Sequence, residues 1–178
     1  MNPNKMKSVL NPTAAFGSLA ATARWVVILS GALLLVGPVG AVERPFQGRI
    51  DGQFVAAPTQ DPKVYVGGAQ AVGKATHVGA FTKVTSDVSD LTTGAVTGSF
   101  TMTAANGDHV TGVFAGFIVF GSAPGTFSWV LQATITGGSG RFSGATGEFV
   151  FVAEGALVIT DGVVYGKYTE AFDGTIDY

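Results

Sequence analysis

The sequence predicts an all-β fold, a single small antiparallel β-barrel of about eight strands over residues 42–178, preceded by a secretory signal peptide over residues 1–41. Three observations carry this reading. From Pro45 onward apolar and polar residues alternate with a period of two, and no convincing stretch carries apolar residues at i, i+3, i+4 and i+7 as an amphipathic helix would. Turn signals separate the alternating runs into sequential hairpins, and glycines recur along the runs themselves. A meander of that number and length, with bends built into its strands, suits closure into a barrel better than a sandwich.

The leader comes first. Lys5, Lys7 and Arg24 precede the apolar run from Trp25 to Val36, and Gly37-Pro-Val-Gly-Ala41 follows with a helix breaker and small residues. That order is n-region, h-region and cleavage site. The run falls short of the roughly 20 apolar residues of a membrane span, so a retained anchor is the poorer reading. The mature chain is expected to begin near Val42 in a secreted or periplasmic location, with no membrane attachment afterwards.

Removing residues 1–41 takes away three of ten basic residues and none of the twelve acidic ones, leaving a formal charge of −5. The remaining Arg44, Arg49, Lys63, Lys74, Lys83, Arg141 and Lys167 are scattered, whereas phosphate neutralisation needs them clustered, so nucleic acid is not an expected partner. There is no cysteine. Thiolate catalysis, thiolate metal sites and disulfide stapling are excluded, and a core drawn from about 137 residues has to hold the domain.

The first strand is Phe46–Val55, with Phe46, Ile50 and Phe54 on one face and Gln47, Arg49, Asp51 and Gln53 on the other. Residues 57–72, with Pro58, Pro62, Gly67 and Gly68, read as a long loop holding at most a short edge segment at 63–66. The next strand is Gly73–Val84, putting Ala75, His77, Gly79 and Phe81 on one face, and Asp87–Gly94 reads as a polar turn. Val96, Gly98, Phe100 and Met102 then alternate with threonines and Ser99. Asn106-Gly107 signals a type I′ hairpin into His109–Phe120. Residues 110–120 are apolar at nearly every position, which predicts a strand covered on both faces by a further packed element. Phe127, Trp129, Leu131, Ala133 and Ile135 form the inner face of the next strand. Phe149, Phe151, Ala153 and Leu157 do so after it, with Glu148, Glu154, Val150 and Val152 on the other, solvated face. Thr160-Asp-Gly162 turns the chain into Val163–Tyr178, which closure would set beside the first strand.

Between residues 134 and 147 lies a glycine-dense corner, Thr134-Ile-Thr-Gly-Gly-Ser-Gly-Arg-Phe-Ser-Gly-Ala-Thr-Gly147. Its spacing is neither that of a dinucleotide-binding loop nor that of a nucleophile elbow. Either Gly137 or Gly138 is expected at positive φ, and Arg141 reads as a surface residue or salt-bridge partner. Residues 136–147 resemble the TGGSG-x-F-x-G-x-x-G stretch of allene oxide cyclases and the related stretch of dirigent proteins. Gly98-Ser-Phe and Asn106-Gly-Asp-His-Val-Thr-Gly112 sit at the family's hairpin positions, so the resemblance covers roughly residues 95–155. It implies a barrel with a largely apolar lumen that confines a flexible substrate, for ring closure in one branch and for steering radical coupling in the other. The cyclases' catalytic positions lie largely before the matched region, and no cysteine stands at their lumen thiol.

The functional reading is an exported barrel binding an apolar or aromatic small molecule in its lumen, as a binding protein, a cyclase or isomerase, or a dirigent-type scaffold. The alternative is a structural or adhesive domain with a filled core. Lumen candidates are His77, Phe81, Phe100, Phe114, Trp129 and Leu131; no catalytic residue is assigned. His109, beside Asp108 at a turn, is expected to be solvent-exposed. Two histidines without cysteine or a metal-ligand spacing point to no metal, and no cofactor is expected. Assembly with identical chains is left open. Small residues beside large ones, such as Gly79 with Phe81 and Gly98 with Phe100, are expected to leave unfilled volume if they face inward.

Overall fold

The computed structural model describes residues 42–178; the leader expected over residues 1–41 lies outside the described residues. Eight strands form: β1 (Arg44–Pro58), β2 (Val64–Ala75), β3 (Gly79–Asp90), β4 (Ala95–Ala104), β5 (His109–Phe120), β6 (Thr126–Gly138), β7 (Gly147–Thr160) and β8 (Val163–Ile176). Each pairs antiparallel with its sequence neighbours, and β8 returns to β1 to close the barrel. Closure sets Phe46 opposite Gly174, Ile50 opposite Glu170 and Phe54 opposite Gly166. The alternation of β1 is as expected, with Phe46 and Ile50 buried and Arg49, Asp51 and Gln53 outside.

The lumen is packed by rings that lie over glycines of the adjoining strand. Phe172 stands opposite Gly48 and Phe100 opposite Gly112, and a methyl group on either glycine would fall 2.5 Å from the ring. Phe114 over Gly98 and Phe54 over Gly166 repeat the pairing. Aromatic residues covering strand glycines fill the groove that the missing side chain leaves. Gly98 beside Phe100 is therefore not a void, because the ring of Phe114 on the neighbouring strand occupies the space.

One end of the barrel, called the lower end, is sealed. Phe46, Phe149 and Phe172 meet there with ring centroids 4.9–5.2 Å apart. The glycine corner forms the plug below them. After Gly138 the chain makes a short 3-10 helix, Gly140–Phe142, that folds across the opening and buries Phe142 and Ala145 completely. Gly140 and Gly144 take φ of 59° and 76°, conformations that L residues avoid, and the Asp108 carboxylate occupies the place a Gly140 Cβ would need. Gly137 has φ of 154°, as expected of that pair. Arg141 ties the plug down, with its Nε 3.7 Å from Asp108 Oδ2 and its Nη2 donating to Val78 O at 3.4 Å.

Several boundaries differ from the sequence reading. Residues 64–75, read mostly as loop, are a full strand paired on both sides, because small Ala69, Ala71 and Gly73 face inward where the large rings need room. The expected strand 73–84 is broken by a turn at 76–78, so His77 is exposed at φ 65° and Gly79 is exposed beside it. Residues 87–90, read as turn, continue β3, and the turn begins at Leu91. The Asn106-Gly107 hairpin is not type I′: only Gly107 has positive φ, and its N–H donates to Ala104 O, giving a type I turn followed by a left-handed glycine. Nothing among the described residues covers the outer face of β5. Phe117 and Val119 keep 59% and 61% of their surface exposed there, beside Val130 and Val152.

Phe142→Ala removes the fully buried ring of the plug and is expected to cost about 3–5 kcal/mol in urea or thermal unfolding. A loss below about 1 kcal/mol would mean that the corner is not a structural plug.

Candidate functional site

The site is built by an exception to the alternation. On β3 the inward positions after Phe81 are Lys83, Thr85, Asp87 and Ser89, while the outward ones include Val84 and Val88, both exposed. A strand whose polar side faces the lumen conflicts with a purely apolar core, and its charged groups need partners there. Glu170 of β8 meets Lys83 across the lumen: Nζ is hydrogen-bonded to Oε1, and both side chains are almost fully buried. Trp129 of β6 donates its indole N–H to Glu170 Oε2 at 3.2 Å, so both carboxylate oxygens are engaged. The ammonium lies 4.0 Å from the centroid of Phe151 and 5.7 Å from that of Tyr168, within cation–π reach of both. Higher on β3, Thr85 Oγ1 donates to Asp87 Oδ2 at 3.3 Å and accepts the N–H of Ala69 at 2.9 Å, standing in for a ladder carbonyl where β2 bends at Gly67 and Gly68.

Burial sets the electrostatics. Desolvation pulls the Lys83 pKa below the ordinary lysine value, against the attraction of Glu170, and pushes the Glu170 pKa up, against Lys83 and the Trp129 hydrogen bond. Both shifts favour the neutral amine and the neutral acid. Asp87 is likewise raised by desolvation, with Thr85 and Lys83 working the other way. Tyr168 is raised by desolvation and by the two carboxylates, which keeps its hydroxyl protonated.

These groups line a cavity of about 80 Å³ in the upper half of the lumen, toward the turns at Leu91–Gly94 and Asp161–Gly162. Its apolar wall includes Phe54, Val96, Phe114, Trp129 and Leu131. Ser89, Asp87 and Ile118 at the rim are partly exposed, whereas residues at the lower end such as Phe46 and Ile176 are fully buried. Wider grooves run over the outer wall, among them one of about 500 Å³ along Gln53, Val55, Tyr165 and Lys167, whose titratable residues, Tyr165 and Lys167, are exposed.

Of the lumen candidates, Phe114, Trp129 and Leu131 line this cavity. Phe81 and Phe100 are buried in the packed core and do not line it. His77 is outside the lumen altogether, in the β2–β3 turn with its ring 5.9 Å from that of Tyr178. The sequence reading missed Lys83 and Glu170. Both sit at inward parity, and the signal was available for Glu170 in the alternation of Val164, Gly166, Tyr168, Glu170 and Phe172. Glu148 and Glu154 are exposed on the outer face as expected. His109 is half-buried rather than free, its Nδ1 2.7 Å from Ser139 Oγ at the edge of the plug. Among the described residues no group of three or more His, Asp or Glu is placed to hold a metal ion.

No protein-family model matches the chain, and no curated protein is significantly similar to it. Among solved structures, the chain is similar to the pterocarpan synthase dirigent protein at 14% identity, covering 76% of this chain and 86% of that one, with a TM-score of 0.33. The closed barrel stands on its own strand pairing.

Lys83→Met leaves Glu170 buried without its counter-charge. The variant is expected to lose about 3–5 kcal/mol of stability at pH 8. The sign of its pH dependence follows from the direction of the shift. A carboxyl whose folded pKa is raised contributes stability below its unfolded pKa and loses it as pH rises through the folded one. The deficit of Lys83→Met should therefore shrink as pH is lowered toward the ordinary carboxyl range, and the double variant Lys83→Met, Glu170→Leu should recover most of it at pH 8. Urea unfolding across pH measures both.

Proposed function

We propose that the upper lumen is the binding site of a small apolar or aromatic molecule carrying a polar group, taken up one-to-one by an exported barrel. The observation that carries this reading is a cavity beside a buried Lys83–Glu170 pair. A buried ion pair is poor value for stability, since apolar residues of like volume serve as well or better, so charged groups on an apolar cavity point to a ligand. Perturbed acids and bases gathered in a concavity are the usual mark of a functional site. The walls offer one aromatic-lined side, Trp129 with Phe54 and Phe114, and one polar side, Asp87 with Lys83 and Glu170. Such a site fixes a ring by its face and its substituent by hydrogen bonds.

The size limits the occupant. About 80 Å³ is well below the roughly 300–1,000 Å³ of drug-sized pockets, so a single ring or short chain suits the enclosed part and a fatty acid does not. What the barrel does with its guest is orientation: a rigid wall holds one face of a reactive molecule and excludes others, as a dirigent-type scaffold or a cyclase or isomerase would. The rival is a structural or adhesive domain with a filled core, and the ring-packed lower half favours it. Uptake decides between them.

The purified protein is expected to bind benzyl alcohol or phenol with saturable quenching of Trp129 fluorescence and a one-to-one adduct in native mass spectrometry, and Leu131→Trp is expected to abolish this with the β-sheet circular dichroism unchanged. If no small aromatic binds and the tryptophan variant unfolds, the core is full and the structural reading replaces this one. Export is tested separately: intact mass of the protein recovered outside the cytoplasm should correspond to a start at or near Val42, and a mass that includes residues 1–41 would refute the leader.

A further inference from the structure

Lys83 has surroundings that an ordinary ion pair does not need. Its Nζ reaches the wall of the upper cavity with aromatic faces of Phe151 and Tyr168 beside it, and its ionic partner is a single carboxyl, Glu170, itself held by Trp129. The groups facing it from the surrounding strands are Asp87 and Thr85 of its own strand, Tyr168 and Glu170 of β8, and Trp129 of β6. An amine walled by rings, touching one proton acceptor and open to a small cavity, is arranged as a nucleophile with its acid–base partner.

We propose that Lys83 captures a small aldehyde covalently, as an imine in the upper lumen, with Glu170 moving the protons. This rests on the reading of the upper lumen as a ligand site. The free amine adds its nitrogen lone pair to the carbonyl carbon, forming the N–C bond, while the Glu170 acid gives its proton to the carbonyl oxygen. The resulting ammonium returns a proton to the Glu170 carboxylate, leaving a neutral carbinolamine. Glu170 then protonates the hydroxyl, the C–O bond breaks, water departs, and the iminium gives back its N–H proton to Glu170. The sum is aldehyde plus amine giving imine plus water, with nothing oxidised or reduced. Desolvation favours the two forms the first step requires, the neutral amine and the neutral acid, at a pH where exposed lysines are ammonium ions. The cavity selects a single-ring or short-chain aldehyde, because nothing larger is enclosed beside Nζ.

The test is reductive trapping on the unmodified protein. Benzaldehyde with cyanoborohydride at pH 7, followed by intact mass and peptide mapping, should add one benzyl group at Lys83 at least about 10-fold faster than at Lys63, Lys74 or Lys167, although those three are exposed. Glu170→Gln should slow trapping at Lys83 by about 10²-fold, the low end of what a positioned acid–base group contributes. Labelling that follows exposure, with Lys83 last, overturns the proposal. In that case, benzyl alcohol binding leaves the ligand site standing without its covalent step, and the absence of binding removes both.

Discussion

Closure between β1 and β8 is the constraint on which the rest of this molecule depends. Once β8 pairs with β1 along thirteen residues, no strand edge is left to template aggregation, and every strand has one face committed to a lumen of fixed width. Eight strands leave a bore that side chains just fill. Aromatic rings are too large to face one another from every strand, and the chain solves this by setting a glycine opposite a ring: Gly48 with Phe172, Gly112 with Phe100, Gly166 with Phe54. Size alternation across strands, rather than along them, is what packs the lumen.

The same constraint explains why the upper half is different. There the inward positions of β3 are polar, and polar groups cannot interleave as rings do. Lys83 and Glu170 meet because β3 and β8 face each other across the bore, and the desolvation of each, several kcal/mol for an ion taken from water, is offset only by their contact, the Trp129 hydrogen bond and the ring faces around the ammonium. The cavity sits beside these groups, at the rim of the packed region. A barrel built only for stability would carry leucine at 83 and 170, and would have no opening next to them.

Most of the architecture was legible in the sequence. Period-two alternation in β1, β4, β6 and β7 identified the inner face correctly, and the similar patterns at Phe46–Asp51 and Phe172–Tyr178 belong to strands that do close the sheet. The misses share a cause. β2 was read as loop because Pro58, Pro62, Gly67 and Gly68 break the stretch, yet a small residue is what the inner wall requires opposite Phe54, where Ala69 stands. β5 was read as doubly covered because its outer positions are apolar, but Phe117 and Val119 lie on the open face of the barrel. His77 was placed inside because the strand was run straight through a turn that the single signal Thr76-His77-Val78-Gly79 does not announce.

β3 is the most instructive miss, because there residue type and parity point opposite ways where the chemistry is. Residue type would send Lys83 to solvent and Val84 to the core, but parity from Phe81 puts Lys83 inward, and the barrel carries that parity on through Asp87 and Ser89, which were read as turn. The register is fixed by neighbours on both sides: Val84 pairs with Gln70 and Thr101, Val88 with Val66 and Thr97, in rows whose parity is set by the buried Phe81. A slip of one residue would bury the valines and release the charges, at the expense of turning Phe81 out of the core. The chain keeps Phe81 in, exposes two valines and buries a lysine and a carboxylate, an arrangement less stable locally than its alternative. Sequences agree with their folds at most positions, and where local pattern and global fold disagree the disagreement marks strain or function. Glu170, on the opposite wall and at inward parity within an otherwise apolar series, is the second half of the same exception. Two independent breaches of pattern that meet in one hydrogen bond are hard to account for as packing, which is why the upper lumen, rather than the glycine corner that dominates the sequence, is the place to look for what this protein does.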